Sequence, residues 1–186
     1  MDLPWGSDLA TLFITNVGLI TSTGPNGNNI MAAEWTHHVS YSPGIIAVSI
    51  GKNKATNENI RETKEFGVSI ASTGQKVLSS ISGNSSGRDV DKIKVAESLG
   101  FEFYKGKKIK ALMVKDASLN AECKVIKVVD LPSHTVFFGE VLEVSASGSE
   151  PLAYHKGKYW RMSETLPKPT DEEREKFKGI IEKYKR

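Results

Sequence analysis

The fold is decided by residues 45–60, which read IIAVSIGKNKATNENI. Residues 45–50 are apolar or small, and a run of this length beside glycine is typical of a buried β-strand. A short basic loop, 51–54, follows the strand, and the polar residues after it predict a helix over about 57–64. A strand, a basic loop and a helix start therefore follow one another directly.

The start of this predicted helix can bind a phosphate group. Thr56 or Asn57 can be the N-cap, because either side-chain oxygen can accept an unpaired backbone N–H. The free N–H groups of a helix start carry partial positive charge. Lys52 and Lys54 add full charges there, and Thr56 adds a hydroxyl donor. The same residues also fit an ordinary capped surface helix with two solvated lysines.

Composition places the chain among globular proteins. Its 186 residues are 39% hydrophobic and 25% charged, which suits one domain over 1–186 with a real core. The formal net charge of +3 is too small to indicate nucleic acid. Cys123 is the only cysteine, so a reducing cytoplasm is the simplest setting. No apolar run is long enough to cross a bilayer and no leader pattern opens the chain, so we expect no membrane partner.

The rest of the chain predicts a mainly β protein with a few inserted helices and a C-terminal helix. Residues 24–27 are typical of a hairpin turn, and Gly139 within a predicted strand indicates a bulge or a close approach. A capping box at 170–173 starts a tail helix over about 170–185, whose apolar face must dock on the domain or on a second subunit. Strands are predicted over 12–21, 30–39, 45–50, 66–71, 119–125, 136–144 and 159–162, and further helices over 75–81 and 89–99. Strands joined mostly by turns favour an antiparallel barrel over a doubly wound parallel sheet.

A second candidate binding segment covers residues 29–36. Ala32 and Ala33 would let a flat ring lie close to the main chain, and the polar residues at the two ends can contact its edge. The alternative is a plain strand whose Met31, Ala33 and Trp35 point into the core at period two.

A third candidate is the polar loop 85–92, which precedes a predicted helix. Arg88 can make a bidentate contact with a phosphate or with a partner's carboxylate. The alternative is a flexible loop with Asp89 as the N-cap of the helix.

Several metal and catalytic patterns are absent from the sequence. His37 and His38 would point to opposite faces of a strand, so they are poor ligands for one metal ion, and no spacing suits structural zinc. There is no Gly-x-Ser-x-Gly elbow, no Gly-x-Gly-x-x-Gly after a strand and no P-loop. We therefore predict no metal site and assign no catalytic residue.

Taken together, the chain resembles the flavin reductase-like family, the FMN-binding split-barrel proteins that include flavoredoxin and archaeal FMN-binding proteins. The resemblance covers roughly residues 8–162. Its matching residues are Asn29, Met31, Ala32, Trp35, Ser40, Pro43, Lys52, Asn53, Lys54, Thr56, Ile60, Phe66 and Val68, followed by the 86–92 loop.

The resemblance implies a six-stranded Greek-key split barrel and a homodimer with FMN near the subunit interface. It implies that the isoalloxazine ring is lined by Asn29, Met31, Ala32, Ala33, Trp35 and Thr36. Ser49 would lie beside the ribityl chain, and the phosphate would be held by Lys52, Thr56, Asn57 and Arg88. The chain departs from the family pattern at Ala32 and Glu34, where Thr and Ser are expected, so backbone groups would supply the hydrogen bonds there and Glu34 would point away from the ring.

Two flavin functions and one other function remain open at this stage. The first is an NAD(P)H-dependent flavin reductase that uses FMN, with FAD as the other possible flavin. The second is a non-enzymatic FMN electron carrier of the flavoredoxin type, reduced by a protein or small-molecule partner. Both need no side-chain acid or base, because FMN itself performs the redox chemistry. The third is a small barrel that binds single-stranded nucleic acid, which the lack of aromatics within a basic stripe disfavours.

Overall fold

A computed structural model describes residues 2–4 and 6–185. Its strands are β1 (Thr15–Asn16), β2 (Gly18–Ser22), β3 (Asn29–Ala33), β4 (Thr36–Tyr41), β5 (Gly44–Gly51), β6 (Glu65–Ile70), β7 (Phe103–Lys105), β8 (Leu112–Val114), β9 (Leu119–Asp130), β10 (His134–Ala146), β11 (Ala153–His155) and β12 (Lys158–Trp160). Its α-helices are α1 (Ala55–Thr63), α2 (Lys76–Asn84), α3 (Lys92–Ser98) and α4 (Asp171–Lys183). The protein is therefore mainly β with a few helices, as the sequence predicts.

The main sheet has seven strands within the described residues, in the order β3-β2-β6-β9-β10-β5-β4. Every neighbouring pair is antiparallel, and the expectation of an antiparallel rather than a doubly wound sheet is confirmed. The hairpin β9–β10 lies between the early strands β2, β3 and β6 on one side and β4 and β5 on the other. Two smaller sheets, β1-β11-β12 and β7-β8, flank it.

The two edge strands, β3 and β4, are joined by only two residues, Glu34 and Trp35. Seven flat strands would separate the edges by roughly 29 Å, whereas the link from Ala33 to Thr36 spans at most about 11 Å. The sheet must therefore curl until its edges approach. No ladder pairs β3 with β4 among the described residues, so the hydrogen bonds do not close the curled sheet into a barrel.

The predicted single strand over 30–39 is wrong, because it is broken at this link. The Thr36 amide donates to the Glu34 carbonyl at 3.0 Å, and the Thr36 hydroxyl donates to the Ala33 carbonyl at 3.0 Å. These local bonds turn the chain away from the edge of β2 and start a new strand against β5. The main sheet therefore has seven strands, where the resemblance implies a six-stranded barrel.

Two hydrophobic clusters cover the two faces of the sheet. Because side chains alternate along a strand, β2 sends Ile20 into the first cluster and Leu19 into the second. The first cluster fills the inside of the curl around Val48, Phe66 and Phe137. The second packs beneath α2 and α3 and includes Leu78, Ile93 and Ala96.

Helix boundaries differ from the prediction where a different residue is the N-cap. Helix α3 begins at Lys92 rather than at Asp89, because the Asp91 carboxylate accepts from the Lys94 amide at 3.1 Å. The strand predicted over 12–21 begins later, at Thr15, after a 3₁₀ turn at Ala10–Leu12. It is also divided into two strands, β1 and β2. A capping box between Ser72 and Gln75 starts the 3₁₀ turn that leads into α2.

The tail helix α4 is confirmed together with its capping box between Thr170 and Glu173. None of its residues is buried, and its apolar face presents Phe177, Ile180 and Ile181 to the outside. Among the described residues, no helix combines the length and the apolar character that a bilayer span requires.

Candidate functional site

The start of α1 is buried and has no side-chain cap. Its N-cap is Lys54, whose side chain makes no capping hydrogen bond and has no acceptor to offer. The following residues, Ala55 and Thr56, are 4% and 1% exposed. The predicted cap at Thr56 or Asn57 is thus wrong, since the helix begins two residues earlier. A buried helix start without a capping acceptor is suited to an anion.

The side chain of Asn57 is hydrogen-bonded to other groups of the protein. Its side-chain amide donates to the Ile50 carbonyl at 3.1 Å, and its side-chain oxygen accepts from Arg61 Nε at 2.9 Å. These bonds fix the loop between β5 and α1. Asn57 therefore positions the loop, and its predicted contact with the phosphate stays a prediction.

Asn29 connects the ring segment to the helix start. Its Nδ2 donates to Thr56 Oγ1 at 2.8 Å, so β3 and α1 meet at this bond. Asn29 is 2% exposed, and its Oδ1 is buried without a hydrogen-bond partner among the described residues. A buried acceptor of this kind calls for a donor from outside the chain, such as a ligand hydroxyl.

The 85–91 loop closes over the same place. A Cβ atom on Gly87 would stand 2.3 Å from Asn29 Oδ1, so the bare backbone lies against the carboxamide. Arg88 donates through Nη1 to the Asn53 carbonyl at 2.7 Å and through Nη2 to Glu58 Oε2 at 2.8 Å. The structure thus brings together the three segments that the sequence singled out separately.

Lys92 belongs to the site and was missed as a site residue. It is 2% exposed, and its ammonium donates to the Ser82 carbonyl at 3.1 Å. Burial first, and then the positive charge of Lys54, lower the pKa of Lys92 to about 8. No carboxylate pairs with it among the described residues. The signal was available, because Lys92, Ile93 and Ala96 follow helical spacing on the buried face of α3.

The structure favours Lys54 over Lys52 as the lysine of the site. The charge of Lys54 lowers the pKa of both Lys92 and His134. The charge of Lys52 instead helps to lower the pKa of the Asp130 carboxyl, after larger contributions from hydrogen bonds. The predicted phosphate contact of Lys52 stays a prediction.

An aromatic pair lies near the other end of this region. The ring centroids of Trp35 and His134 are 4.7 Å apart, and the Ser49 amide donates to the Trp35 carbonyl at 3.0 Å. Burial, followed by the charge of Lys54, lowers the pKa of His134, so its imidazole is neutral at pH 7. Trp35 is half-exposed and can cover one face of a flat ligand.

The remaining predicted ring residues are divided between the two cores. Met31 packs against the first cluster and Ala33 is part of it, whereas Ala32 packs against the second. The Thr36 hydroxyl is used by the kink. Glu34 lies near Tyr154, since its negative charge contributes to a raised Tyr154 pKa, after the larger effect of burial. Their contacts with a ring stay predictions.

A flavin reductase-like domain model matches residues 10–163. The chain belongs to the flavin reductase-like family. An uncharacterized protein from Archaeoglobus fulgidus is 33% identical over 139 residues, which cover 74% of this chain and 75% of that one. The FMN reductase (NADH) RutF of Pseudomonas syringae is 25% identical over 152 residues, or 81% and 82% of the two chains. The solved flavoredoxin of Desulfovibrio vulgaris is 26% identical, with a TM-score of 0.75 over 92% of this chain and 98% of that one. The family expectation, and with it a flavin-dependent oxidoreductase, is confirmed.

Proposed function

We propose that this protein is an NAD(P)H-dependent flavin reductase that binds FMN at the start of α1. The observation that carries the proposal is the buried start of α1. Its N-cap is Lys54, and Arg88 and Lys92 add two more positive charges near it. Free N–H groups, two lysines and a guanidinium form a strong site for a phosphate group. The names of relatives such as RutF support a nicotinamide donor and FMN.

Each part of the site has a separate task in this proposal. The α1 start and its cations hold the phosphate, and Asn29 Oδ1 accepts from a ribityl hydroxyl. Trp35 and the neutral His134 bound the ring without adding a full charge beside it. When bound, FMN would supply the hydride and electron-transfer chemistry. The protein therefore works by binding and orientation and needs no acid or base of its own.

We also propose that the curled sheet is a split barrel that functions as a homodimer. Large apolar side chains are exposed near both ends of the chain: Leu12, Phe13, Ile14, Ile180 and Ile181. Exposed apolar surface of this extent is typical of an association surface. A second copy covering it agrees with the dimer that the family resemblance implies.

A non-enzymatic electron carrier is the second candidate function. It is supported by the likeness to flavoredoxin, which covers nearly the whole of both chains. In this case the same site would hold FMN, and a redox partner would take the place of NAD(P)H.

The visible absorption spectrum of the purified protein tests both candidates. We expect flavin bands, or bands that appear when FMN is added, and rapid bleaching by NADH under anaerobic conditions. Bleaching by dithionite alone would favour the carrier. A protein that binds no flavin would contradict both functions.

A pair of lysine variants tests the location of the site. Lys54→Ala should weaken FMN binding about tenfold, because it removes a charge from the phosphate end. Lys115→Ala removes an equally exposed lysine that pairs with Glu102, and it should leave FMN binding unchanged. Equal effects of the two substitutions would place the phosphate elsewhere.

A further inference from the structure

We infer that Arg88 and Glu58 form a latch that selects a flavin ending in a phosphate monoester and excludes a dinucleotide such as FAD. This inference rests on the proposed flavin site at the start of α1. It adds a specificity determinant to that site. The determinant is an ion pair at the place where the adenosine monophosphate part of FAD would be attached to the flavin phosphate.

The latch joins three segments across the phosphate end. Glu58 Oε2 accepts from Arg88 Nη2 at 2.8 Å and from Asn26 Nδ2 at 2.9 Å. Arg88 also donates to the Asn53 carbonyl just ahead of α1. The hairpin turn between β2 and β3, the 85–91 loop and the first turn of α1 therefore meet at Glu58.

A cavity of about 480 Å³ adjoins the latch, and Arg88 forms part of its wall. Its wall combines the amide groups of Asn26 and Asn28 and the apolar side chains of Ile93 and Leu112 with three carboxylates, those of Asp89, Asp91 and Glu97. Amide groups and an apolar face of this kind suit a nucleoside. Two features lie between the α1 start and this cavity: the Arg88 side chain, which is hydrogen-bonded to Glu58 of α1, and the Gly87 backbone, which lies against Asn29.

The positive charge of the site also favours a flavin with a phosphate monoester over a dinucleotide. Lys54, Arg88 and Lys92 are three cations, and within the described residues only Arg88 is paired with a carboxylate, that of Glu58. A phosphate monoester carries roughly −1.5 to −2 at neutral pH, whereas each phosphate of a dinucleotide carries a single charge. The surplus of two positive charges matches the monoester.

The buried Asn29 Oδ1 shows independently that this place is prepared for a ligand. It is an unpartnered acceptor on a side chain that is 2% exposed, and the other atom of its amide is bonded to Thr56 in the first turn of α1. The Gly87 backbone lies against this oxygen, so a ligand hydroxyl would donate to it only after displacing that backbone.

The test measures dissociation constants for FMN, FAD and riboflavin in the full-length protein by fluorescence titration. Glu58→Ala and Glu58→Gln form a matched pair, because both remove the negative charge and only Gln keeps an acceptor for Arg88 and Asn26. We expect the wild type to bind FMN at least about tenfold more tightly than FAD. Relative to Glu58→Gln, Glu58→Ala should lower this preference about three- to fivefold by tightening FAD.

Arg88→Ala gives a second measurement. FMN binding should weaken about tenfold while riboflavin binding stays unchanged, because the lost group contacts only the phosphate end. Equal wild-type affinities for FMN and FAD, or the same preference in both Glu58 variants, would overturn the latch and leave the flavin site standing. Failure to bind FMN and riboflavin alike would instead overturn the proposed function.

Discussion

At the scale of single residues, the site depends on how Lys92 is buried. Lys92 is 2% exposed and its ammonium bonds one carbonyl, so the charge is retained against a desolvation penalty. The sequence predicted Asn29, Thr56 and Arg88, because their residue types resemble a family pattern. It predicted Lys54 only together with Lys52, and it did not predict Lys92, because the position of Lys92 depends on how α3 packs on the domain.

Lys92→Met should stabilise the protein. The folded pKa of Lys92, about 8, lies below the ordinary lysine value of 10.5, so the buried charge disfavours folding at neutral pH. We expect the free energy of unfolding at pH 7 to rise by roughly 1–3 kcal/mol in urea denaturation. Since the penalty is relieved as the pH rises from 8 to 10.5, the gap between variant and wild type should shrink over that range. A variant that is less stable at pH 7 would contradict this account.

FMN affinity should fall as the pH rises through about 8. Below this value Lys92 carries a charge that attracts the phosphate, and above it the free protein loses that charge. We expect the dissociation constant to increase roughly tenfold between pH 7 and pH 9.5, as measured by fluorescence titration. Riboflavin, which has no phosphate, should show no such step, and neither should FMN with Lys92→Met. A step that persists in the variant would assign the titration to another group.

At the scale of elements, glycines decide how closely the strands can pack. Gly139 lies at a register shift between β9 and β10, and a Cβ there would stand 2.5 Å from Phe66 Cζ and 2.7 Å from Cys123 Cβ. Both sequence expectations for Gly139, a bulge and a close approach, are confirmed. Strands and helices were predictable from local periodicity. The break at Glu34–Trp35 was not, because it follows from pairing with two different partner strands.

Gly139→Ala should destabilise the fold. The added methyl group must displace the buried Phe66 ring or the β9 backbone, which typically costs about 1–3 kcal/mol. Denaturant midpoints measured by circular dichroism check this. Gly179→Ala in α4 is the control. Its Cβ would meet nothing within 4 Å, so the denaturant midpoint of the β-sheet signal should not fall. A loss of the same size in both variants would contradict the packing argument.

At the scale of the whole molecule, the fold leaves α4 outside the body. None of its residues is buried, and the segment before it places Leu166 at 95% exposure. The sequence predicted that this apolar face would dock on the domain or on a second subunit. The structure does not dock it on the domain, which leaves the second subunit as our proposal.

Truncation after Ser163 should weaken self-association. It removes Ile180 and Ile181, which are half-exposed in the single chain, and no part of the buried core. We expect the dimer dissociation constant from sedimentation velocity to rise at least about tenfold, with an unchanged β-sheet circular dichroism signal. An unchanged dissociation constant would show that α4 takes no part in the dimer.

The position of the β9–β10 hairpin also has a consequence for how the chain is made. Asn29 belongs to the strands on one side of this hairpin and Ser49 to those on the other. Among the residues that the structure describes, strand pairing joins the two sides only through residues 119–146. A chain leaving the ribosome cannot align these two halves until the hairpin has emerged and entered between them. Binding competence should therefore appear late and in a single step during synthesis, so that retention of the yellow chromophore by nascent chains would report the moment at which the hairpin inserts.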